Sequence, residues 1–254
     1  MRSARFIFVF LAGCPANRPA PSVTTTGYQA RDMRGMVHVP AADFRMGTRF
    51  GEPSELPRHD AHVEAFDIDV TEVTVAAFSR CVRASACAEI TTTTTAAPQR
   101  DPECNGARRD RHDHPVNCID WRTADAYCRW MGKRLPSEVE WEYAACGRDC
   151  ATSIGERNGE AALFAVGRWP FTSPVASGSA GAFGIYDMGG DVWEWTSSRF
   201  CAYDDASCDD AHRVIRGGSW PITELPRVRL TAREGREPEA RDTNLGFRCA
   251  RSSP

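Results

Sequence analysis

The sequence predicts an α+β domain with much irregular structure, held together by disulfide bonds. Segments with helical periodicity are few and short, whereas several short stretches alternate or are rich in β-branched and aromatic residues, as strands are. Long stretches rich in Gly, Pro, Ser, Thr and Asp separate them, and 11 cysteines are available to link such loops. With 254 residues, 42% of them hydrophobic, the chain can bury one full core.

The amino terminus has the features of a secretion signal. Arg2 and Arg5 precede an apolar run, residues 6–11, which is too short to cross a bilayer but suits the hydrophobic part of a signal peptide. The run leads into Leu-Ala-Gly-Cys, which resembles the bacterial lipobox. In that motif the cysteine, here Cys14, becomes the lipid-modified first residue of the mature protein. An ordinary signal peptide with an incidental cysteine is the alternative.

These features set the expected organisation of the chain. We predict a lipoprotein signal peptide at 1–14, a flexible Pro- and Thr-rich linker at 15–34 and one folded domain at 35–254. The protein is then expected in the cell envelope, anchored to a membrane by lipid. Pro15 is not the Asp associated with inner-membrane retention, which favours the outer membrane.

Four stretches of the expected domain have strand patterns. They are residues 36–48, 60–73, 212–218 and 244–251.

The charged run 106–114 alternates in sign, so we interpret it as a solvated loop. A net charge of -3 gives no basic surface of the kind that nucleic acid needs.

Three helices are predicted. The first covers 73–84 and has Val75, Phe78 and Val82 at helical spacing. The second covers 122–133 and places Ala124, Tyr127 and Met131 on one face.

The third helix, within 135–146, has the clearest start. Ser137 can cap it, and Glu140 three residues later completes a capping box. We expect this helix to bury Val139, Trp141 and Ala144.

The cysteine count indicates an oxidising compartment. Without Cys14, ten cysteines remain, an even number that fits five disulfides in an exported protein. Close spacing suggests three local pairs: Cys81 with Cys87, Cys146 with Cys150, and Cys201 with Cys208. Zinc is the competing interpretation, but the chain has no paired Cys-X-X-Cys motif.

Six motifs together resemble one family. They are MVHVPAADFRMGT, DVTEVTVAAF, HPVNCIDWRTADAYCRWMGKRLPSEVEWEYAA, FGIYDMGGDVWEWTSS, RVIRGGSW and NLGFRCA. Their order and separations are similar to those of the formylglycine-generating enzyme, or sulfatase-modifying factor, family, over about residues 35–252. The resemblance implies a single domain with a variant of the C-type-lectin-like fold. It also implies a bridge between Cys128 and Cys249, which leaves Cys104 to pair with Cys118.

The resemblance implies a calcium site in the segment YDMGGDVWEW. Its ligands would be the side chains of Asp187 and Glu194 and the backbone carbonyls of Gly190 and Val192. Calcium takes several hard oxygen ligands, and a Gly-rich turn lets carbonyls converge. The alternative is that Asp187 and Glu194 only cap the turn.

The resemblance also implies a copper(I) site in active members, where two cysteines follow the double-glycine motif. The metal and oxygen convert the cysteine of a Cys-X-Pro-X-Arg sequence to formylglycine. Here the expected positions fall on Ile222 and near Pro226 or Arg227, none of which offers a soft donor. Copper is therefore not expected. Ser219, Trp220 and Asn244 would remain as parts of a groove, with Ser219 as a turn residue rather than a nucleophile.

Two functional hypotheses follow from these observations. The first is a non-catalytic or diverged binding module for a protein, peptide or glycan, carried on a lipoprotein. The alternative is an oxidase that forms formylglycine, or acts on another substrate, through ligands not recognised in the sequence. The missing cysteine pair is the feature that separates them.

Overall fold

The computed structural model describes residues 35–90, 104–148, 171–204, 208, 211–220 and 229–253. The predicted signal peptide with Cys14, the linker 15–34 and the expected copper positions at 222–227 lie outside these residues. Within the part of the chain that the structure describes, no helix combines the length and hydrophobicity needed to cross a membrane.

The described residues form nine short strands. They are β1 (Met36–Val39), β2 (Ala42–Met46), β3 (His59–Val63), β4 (Phe66–Asp69), β5 (Trp193–Arg199), β6 (Arg213–Arg216), β7 (Arg233–Arg236), β8 (Leu245–Gly246) and β9 (Ala250–Ser252). One sheet has the order β1-β4-β9, β2 pairs with β3, and a four-stranded sheet has the order β7-β6-β5-β8. Pairing is antiparallel except between β5 and β8. The predicted strand stretches all contain strands, while β5 and β7 are additional.

Three α-helices lie among the described residues. They are α1 (Val75–Arg83), α2 (Trp121–Trp130) and α3 (Glu138–Cys146). Each begins at a side chain that accepts a hydrogen bond from the first turn: Thr74, Asp120 and Ser137. Such caps satisfy backbone N–H groups that have no partner inside the helix.

The start of α3 confirms the predicted capping box. The Ser137 hydroxyl accepts from the Glu140 N–H, and the Glu140 carboxylate accepts from the Ser137 N–H. Trp141 and Ala144 are buried as expected, whereas Val139 is only half-buried. Val139 is less buried because much of the inner face of α3 is taken by glutamates that pair with arginines.

The core has two parts. One lies between α1, α2 and the four-stranded sheet and contains Phe78, Trp195 and Phe247. The other lies between α3 and the strands β1, β2 and β4 and contains Phe66 and Trp141. The two parts approach each other at the start of β5, where Trp141 of the second part donates a hydrogen bond to Glu194, which lies between Trp193 and Trp195 of the first part.

Disulfides link several segments that are predicted to lack regular secondary structure. The structure contains four of the five predicted pairs: Cys81–Cys87, Cys104–Cys118, Cys128–Cys249 and Cys201–Cys208. Cys146 is also disulfide-bonded, and its predicted partner Cys150 lies outside the described residues. The zinc interpretation therefore fails for the described cysteines, because their sulfurs are used in disulfides.

The run 106–114 is largely the solvated loop that its charges predict, with two buried exceptions. Arg111 and His114 are buried. The Arg111 guanidinium donates to the Asn105 side chain at 2.8 Å and stacks on the Phe171 ring at 4.4 Å. The guanidinium and the imidazole are buried because each finds a hydrogen-bonding partner, which sign alternation does not reveal.

Candidate functional site

The segment 185–194 forms a tight turn that enters β5. Asp187 and Asp191 have φ of 59° and 53°, in the left-handed region where Asp is among the better tolerated residues. Gly190 has φ of 103°, and its N–H donates to the Gly217 carbonyl at 2.9 Å. This bond joins the turn to the double-glycine segment before Ser219.

The double glycine allows a close approach of backbone to side chain. A Cβ atom on Gly217 would lie 3.2 Å from both the Met188 carbonyl and the Trp141 ring. Its φ of 103° is a second reason for glycine there. The RVIRGGSW motif thus packs its turn against α3 and against the 185–194 turn.

Ser219 and Asn244, two of the predicted groove residues, lie next to each other in the structure. Asn244 Nδ2 donates to Ser219 Oγ at 2.9 Å. Ser219 and Trp220 are both buried, at 0% and 3% exposure, so neither side chain forms an open surface. The hydrogen-bonding partner of Ser219 Oγ is an amide rather than a base, so this contact fits a turn residue better than an activated nucleophile.

Glu194 lies in a buried ion pair. Arg248 binds it in a bidentate manner, with Nε and Nη2 each 2.7 Å from a carboxylate oxygen. Trp141 Nε1 donates to the same carboxylate at 2.8 Å. The predicted calcium ligand is therefore already surrounded by donors in this structure.

Three further acids surround this ion pair: Glu72, Asp187 and Asp191. Burial raises the pKa of the Glu72 carboxyl well above its ordinary value, and the nearby Asp187 adds to the rise. Burial also raises the pKa of Asp187, and it raises that of Asp191 to about 8. These acids are thus held where their charged forms are poorly stabilised.

The fit to calcium is good in part. Both Glu72 oxygens and Asp191 Oδ2 are buried and have no hydrogen-bond partner among the described residues. Such oxygens fit a hard cation. Across the described ranges, however, no three His, Cys, Asp or Glu side chains converge as a metal site. A cation here would need backbone or water oxygens as well. Glu72 and Asp191 were not predicted as site residues. Asp191 lies in the segment YDMGGDVWEW but was not among its expected ligands, and Glu72 lies in the motif DVTEVTVAAF, far from that segment in the sequence.

A pocket of about 430 Å³ opens beside β7. Its lining residues are Glu52, Pro53, Ser54, Glu55, Trp193, Arg229, Ala232, Arg233 and Glu234. The Trp193 N–H donates to the Asn244 carbonyl at 2.8 Å, so the pocket and the Ser219–Asn244 pair share one strand end.

Ion pairs hold the arginines that line this pocket. Arg233 binds Glu138 in a bidentate manner at 2.6 and 2.9 Å, and Arg216 contacts both Glu138 and Glu142. Arg229 pairs with Glu55. Charged residues on strand ends and on α3 were not predicted as a network. The four-residue spacing of Glu138 and Glu142 on an otherwise buried helix is the signal that could have found it.

The described thiols leave no donor for copper. Cys81, Cys87, Cys104, Cys118, Cys128, Cys146, Cys201, Cys208 and Cys249 are all disulfide-bonded. Copper(I) in a two-thiolate site needs free thiolates. The described cysteines therefore do not fit the copper centre.

The described residues define a C-type-lectin-like domain of the formylglycine-generating type. Its features are short strands, three helices, four disulfides, a Gly-rich turn and a buried ion pair. The chain belongs to the sulfatase-modifying factor family, because the model of the sulfatase-modifying factor enzyme 1-like domain matches residues 22–253.

Relatives include active and inactive types. The chain is 33% identical to a formylglycine-generating enzyme of Streptomyces coelicolor, covering 92% of this chain and 93% of that protein. It is 32% identical to the inactive C-alpha-formylglycine-generating enzyme 2 of Bos taurus, covering 85% and 87%. Among solved structures, PvdO from Pseudomonas aeruginosa has a TM-score of 0.65 at 27% identity, covering 86% of this chain and 94% of that one.

Proposed function

We propose that this protein is an exported lipoprotein whose formylglycine-generating-enzyme-like domain binds a peptide, protein or glycan without the family's copper chemistry. The observation that carries the proposal is the state of the cysteines. Every described cysteine is in a disulfide, and no cysteine occurs between Cys208 and Cys249 in the sequence. The inactive relative of Bos taurus supports a member of the family without that activity.

The ligand preference of copper(I) explains why the state of the cysteines carries the proposal. Copper(I) prefers soft thiolates, and a pair of them leaves room for the thiolate of a substrate. Residues 221–228, which read PITELPRV, contain no Cys, Met or His. A disulfide cysteine has no thiolate to offer, so a described cysteine would have to be reduced before it could bind the metal.

The pocket beside β7 supports a binding role and suggests a preference for cationic ligands. Arg229 and Arg233 are paired with Glu55 and Glu138, so their charges are matched. Glu52 and Glu234 are exposed, and no ion pair to another described residue is found for either. The pocket therefore carries two unmatched carboxylates, which favour a ligand with a guanidinium or ammonium group.

A peptide assay tests the missing chemistry. The soluble domain, loaded with copper and offered a Cys-X-Pro-X-Arg peptide under oxygen, is expected to leave the cysteine unchanged in mass spectrometry. The Streptomyces coelicolor relative, treated in the same way, is the positive control. Conversion of the peptide by this protein would contradict the proposal.

Binding is tested with the same peptide and one in which Arg is replaced by Gln. We expect the Arg peptide to bind more tightly, and Glu52→Gln with Glu234→Gln to remove at least half of that difference in isothermal titration calorimetry. Asp43→Asn is the control and should not change binding, because Asp43 is an exposed carboxylate on β2 that pairs with His62 and does not line the pocket. If the wild type and the Glu52→Gln, Glu234→Gln variant each bound the two peptides equally, the pocket would not be the site that recognises the arginine.

The second candidate function is an oxidase. It is favoured by the 33% identity to the Streptomyces coelicolor enzyme over 92% of this chain. If the peptide assay shows turnover, the variant Cys201→Ser with Cys208→Ser separates the sources of activity. Persistent turnover would place the oxidase ligands elsewhere.

A further inference from the structure

Three arginines lie opposite one another in the four-stranded sheet. Arg213 is on β6, which lies between β5 and β7, and its direct partners are Arg199 on β5 and Arg236 on β7. Residues directly opposite in neighbouring strands point to the same face of the sheet, with Cβ atoms roughly 5 Å apart. Like charges in this arrangement destabilise a sheet. The row of cations therefore calls for a compensating group.

The described residues compensate two of these arginines poorly. Arg213 Nε and Arg236 Nε are buried and have no hydrogen-bonding partner among them. Asp242 approaches Arg236, but its Oδ2 lies 3.6 Å from Nη2, which is beyond hydrogen-bonding distance. The Arg213 guanidinium lies over the Trp121 ring, 4.7 Å from the ring centroid, and forms no ion pair within the described part of the chain.

Trp121 holds the Arg213 guanidinium in place. The indole N–H of Trp121 donates to the Thr196 carbonyl at 2.7 Å, and its backbone N–H donates to the Pro238 carbonyl at 2.9 Å. The ring is thus fixed between β5 and the segment after β7. The cation–π contact orients the guanidinium without removing its charge. A ligand of Arg213 would meet a donor whose orientation is already set, which lowers the entropy cost of binding.

The row is accessible to a ligand. Arg199 is exposed, Arg213 is half-buried and the Arg236 side chain is 39% exposed. Two acids are near: Asp242, and Glu234 two residues before Arg236 on the same face of β7. Three guanidiniums against two carboxylates leave positive charge in excess. Guanidinium N–H groups match the oxygens of sulfate and phosphate groups in geometry and charge.

We propose that Arg213 and Arg236 bind a tetrahedral oxyanion, a sulfate or phosphate group, between β6 and β7 beside Trp121. Such an anion accepts hydrogen bonds from both guanidiniums at once and offsets the repulsion between them. Arg199 on the next strand adds to the positive field. The site shares no residue with the pocket beside β7, so the failure of either one leaves the other standing.

Titration of the full-length protein with a heparin-derived sulfated tetrasaccharide tests the site. We expect saturable binding in isothermal titration calorimetry. Arg213→Gln and Arg236→Gln should each lower the affinity at least fivefold, because each removes one guanidinium. The desulfated tetrasaccharide should not bind. Arg45→Gln is the matched control, since it removes an arginine of similar exposure from β2, in another sheet, and should leave the affinity unchanged.

Inorganic sulfate and inorganic phosphate, titrated separately, distinguish the sources of the anion. If either ion binds within tenfold of the affinity of the tetrasaccharide, the free ion suffices. If the tetrasaccharide binds at least tenfold more tightly, the group is recognised on a glycan. Both results support the site, provided that the two arginine variants weaken the binding.

Thermal melting shows that the variants fold and reports on the site separately. A bound anion stabilises the folded protein by mass action. Sulfate should therefore raise the melting temperature of the wild type and of Arg45→Gln more than that of Arg213→Gln, while its general exclusion from protein surfaces acts on all three alike. The proposal is overturned if none of the anions binds, if the desulfated tetrasaccharide binds as well as the sulfated one, or if Arg45→Gln loses as much affinity as Arg213→Gln and Arg236→Gln.

Discussion

His114 is buried beside Thr172, whose Oγ1 lies 2.9 Å from the imidazole Nδ1. Burial lowers the pKa of this histidine below its ordinary value of about 6.5, against the opposing charge of Asp113. The folded protein therefore disfavours the protonated form relative to the unfolded chain. His62 is the opposite case: it is exposed on β3, and the hydrogen bond that its imidazole donates to the Asp43 carboxylate raises its pKa.

The two histidines should give opposite pH effects on stability. The contribution of His114 is present above pH 6.5 and is lost as the pH falls through its lower folded pKa. We expect His114→Gln to reduce the loss of stability between pH 7 and pH 5.5, measured as the urea midpoint. The His62→Gln control removes a group with a raised pKa, whose contribution is present below pH 6.5, so it should not reduce that loss. An equal pH slope in the wild type and in His114→Gln would contradict the assignment.

Among the elements, α2 is tied to the segment before β9 by the Cys128–Cys249 disulfide, which spans 121 residues. Cys81–Cys87 spans only 6 residues at the end of α1. A crosslink that closes a longer loop removes more entropy from the unfolded chain in the chain-entropy model. The long link should therefore contribute more to stability than the local one.

Removing the two links separately measures this difference. Cys128→Ala with Cys249→Ala should lower the free energy of unfolding by about 5 kcal/mol, and Cys81→Ala with Cys87→Ala by about 2 kcal/mol. Urea denaturation under non-reducing conditions is the measurement. A larger loss from the local pair would show that native strain or packing, rather than loop length, decides the effect.

The same elements show what the sequence can reveal. The helices and the capped start of α3 follow from local patterns, since Ser137 and Glu140 are neighbours on the chain. Strand β7, by contrast, reads Arg-Glu-Gly-Arg and has no apolar alternation. Its backbone pairs with β6, and its first residue, Arg233, is buried in an ion pair with Glu138 on α3, so both contacts join residues far apart in the sequence.

The residues of the candidate site also separate into those that local motifs predict and those that only the fold brings together. The Ser219 and Asn244 pairing and the Gly217 turn could be expected from the motifs that contain them. The excess of acids could not be, because Glu72 comes from the β4–α1 connection and reaches the 185–194 turn only through the fold. Calcium binding by Glu194 stays a prediction, and the ion pair of Glu194 with Arg248 was not predicted because the two residues lie 54 positions apart.

For the whole molecule, the lipid anchor is the remaining proposal. The apolar run 6–11 is too short to span a bilayer, so acyl chains on Cys14 would supply the membrane affinity. We expect the full-length protein to incorporate labelled palmitate and to fractionate with membranes, and Cys14→Ser to lose both. Equal labelling of Cys14→Ser would favour the ordinary signal peptide instead.

The Cys128–Cys249 link also determines what a protease can separate. A single cut anywhere between those two cysteines would leave the two fragments joined covalently, because each carries one end of the bridge. Such a protein would migrate as one band on a non-reducing gel and as two after reduction. An envelope extract analysed without reductant would therefore hide processing of this domain, and a reduced sample run beside it would reveal the cut.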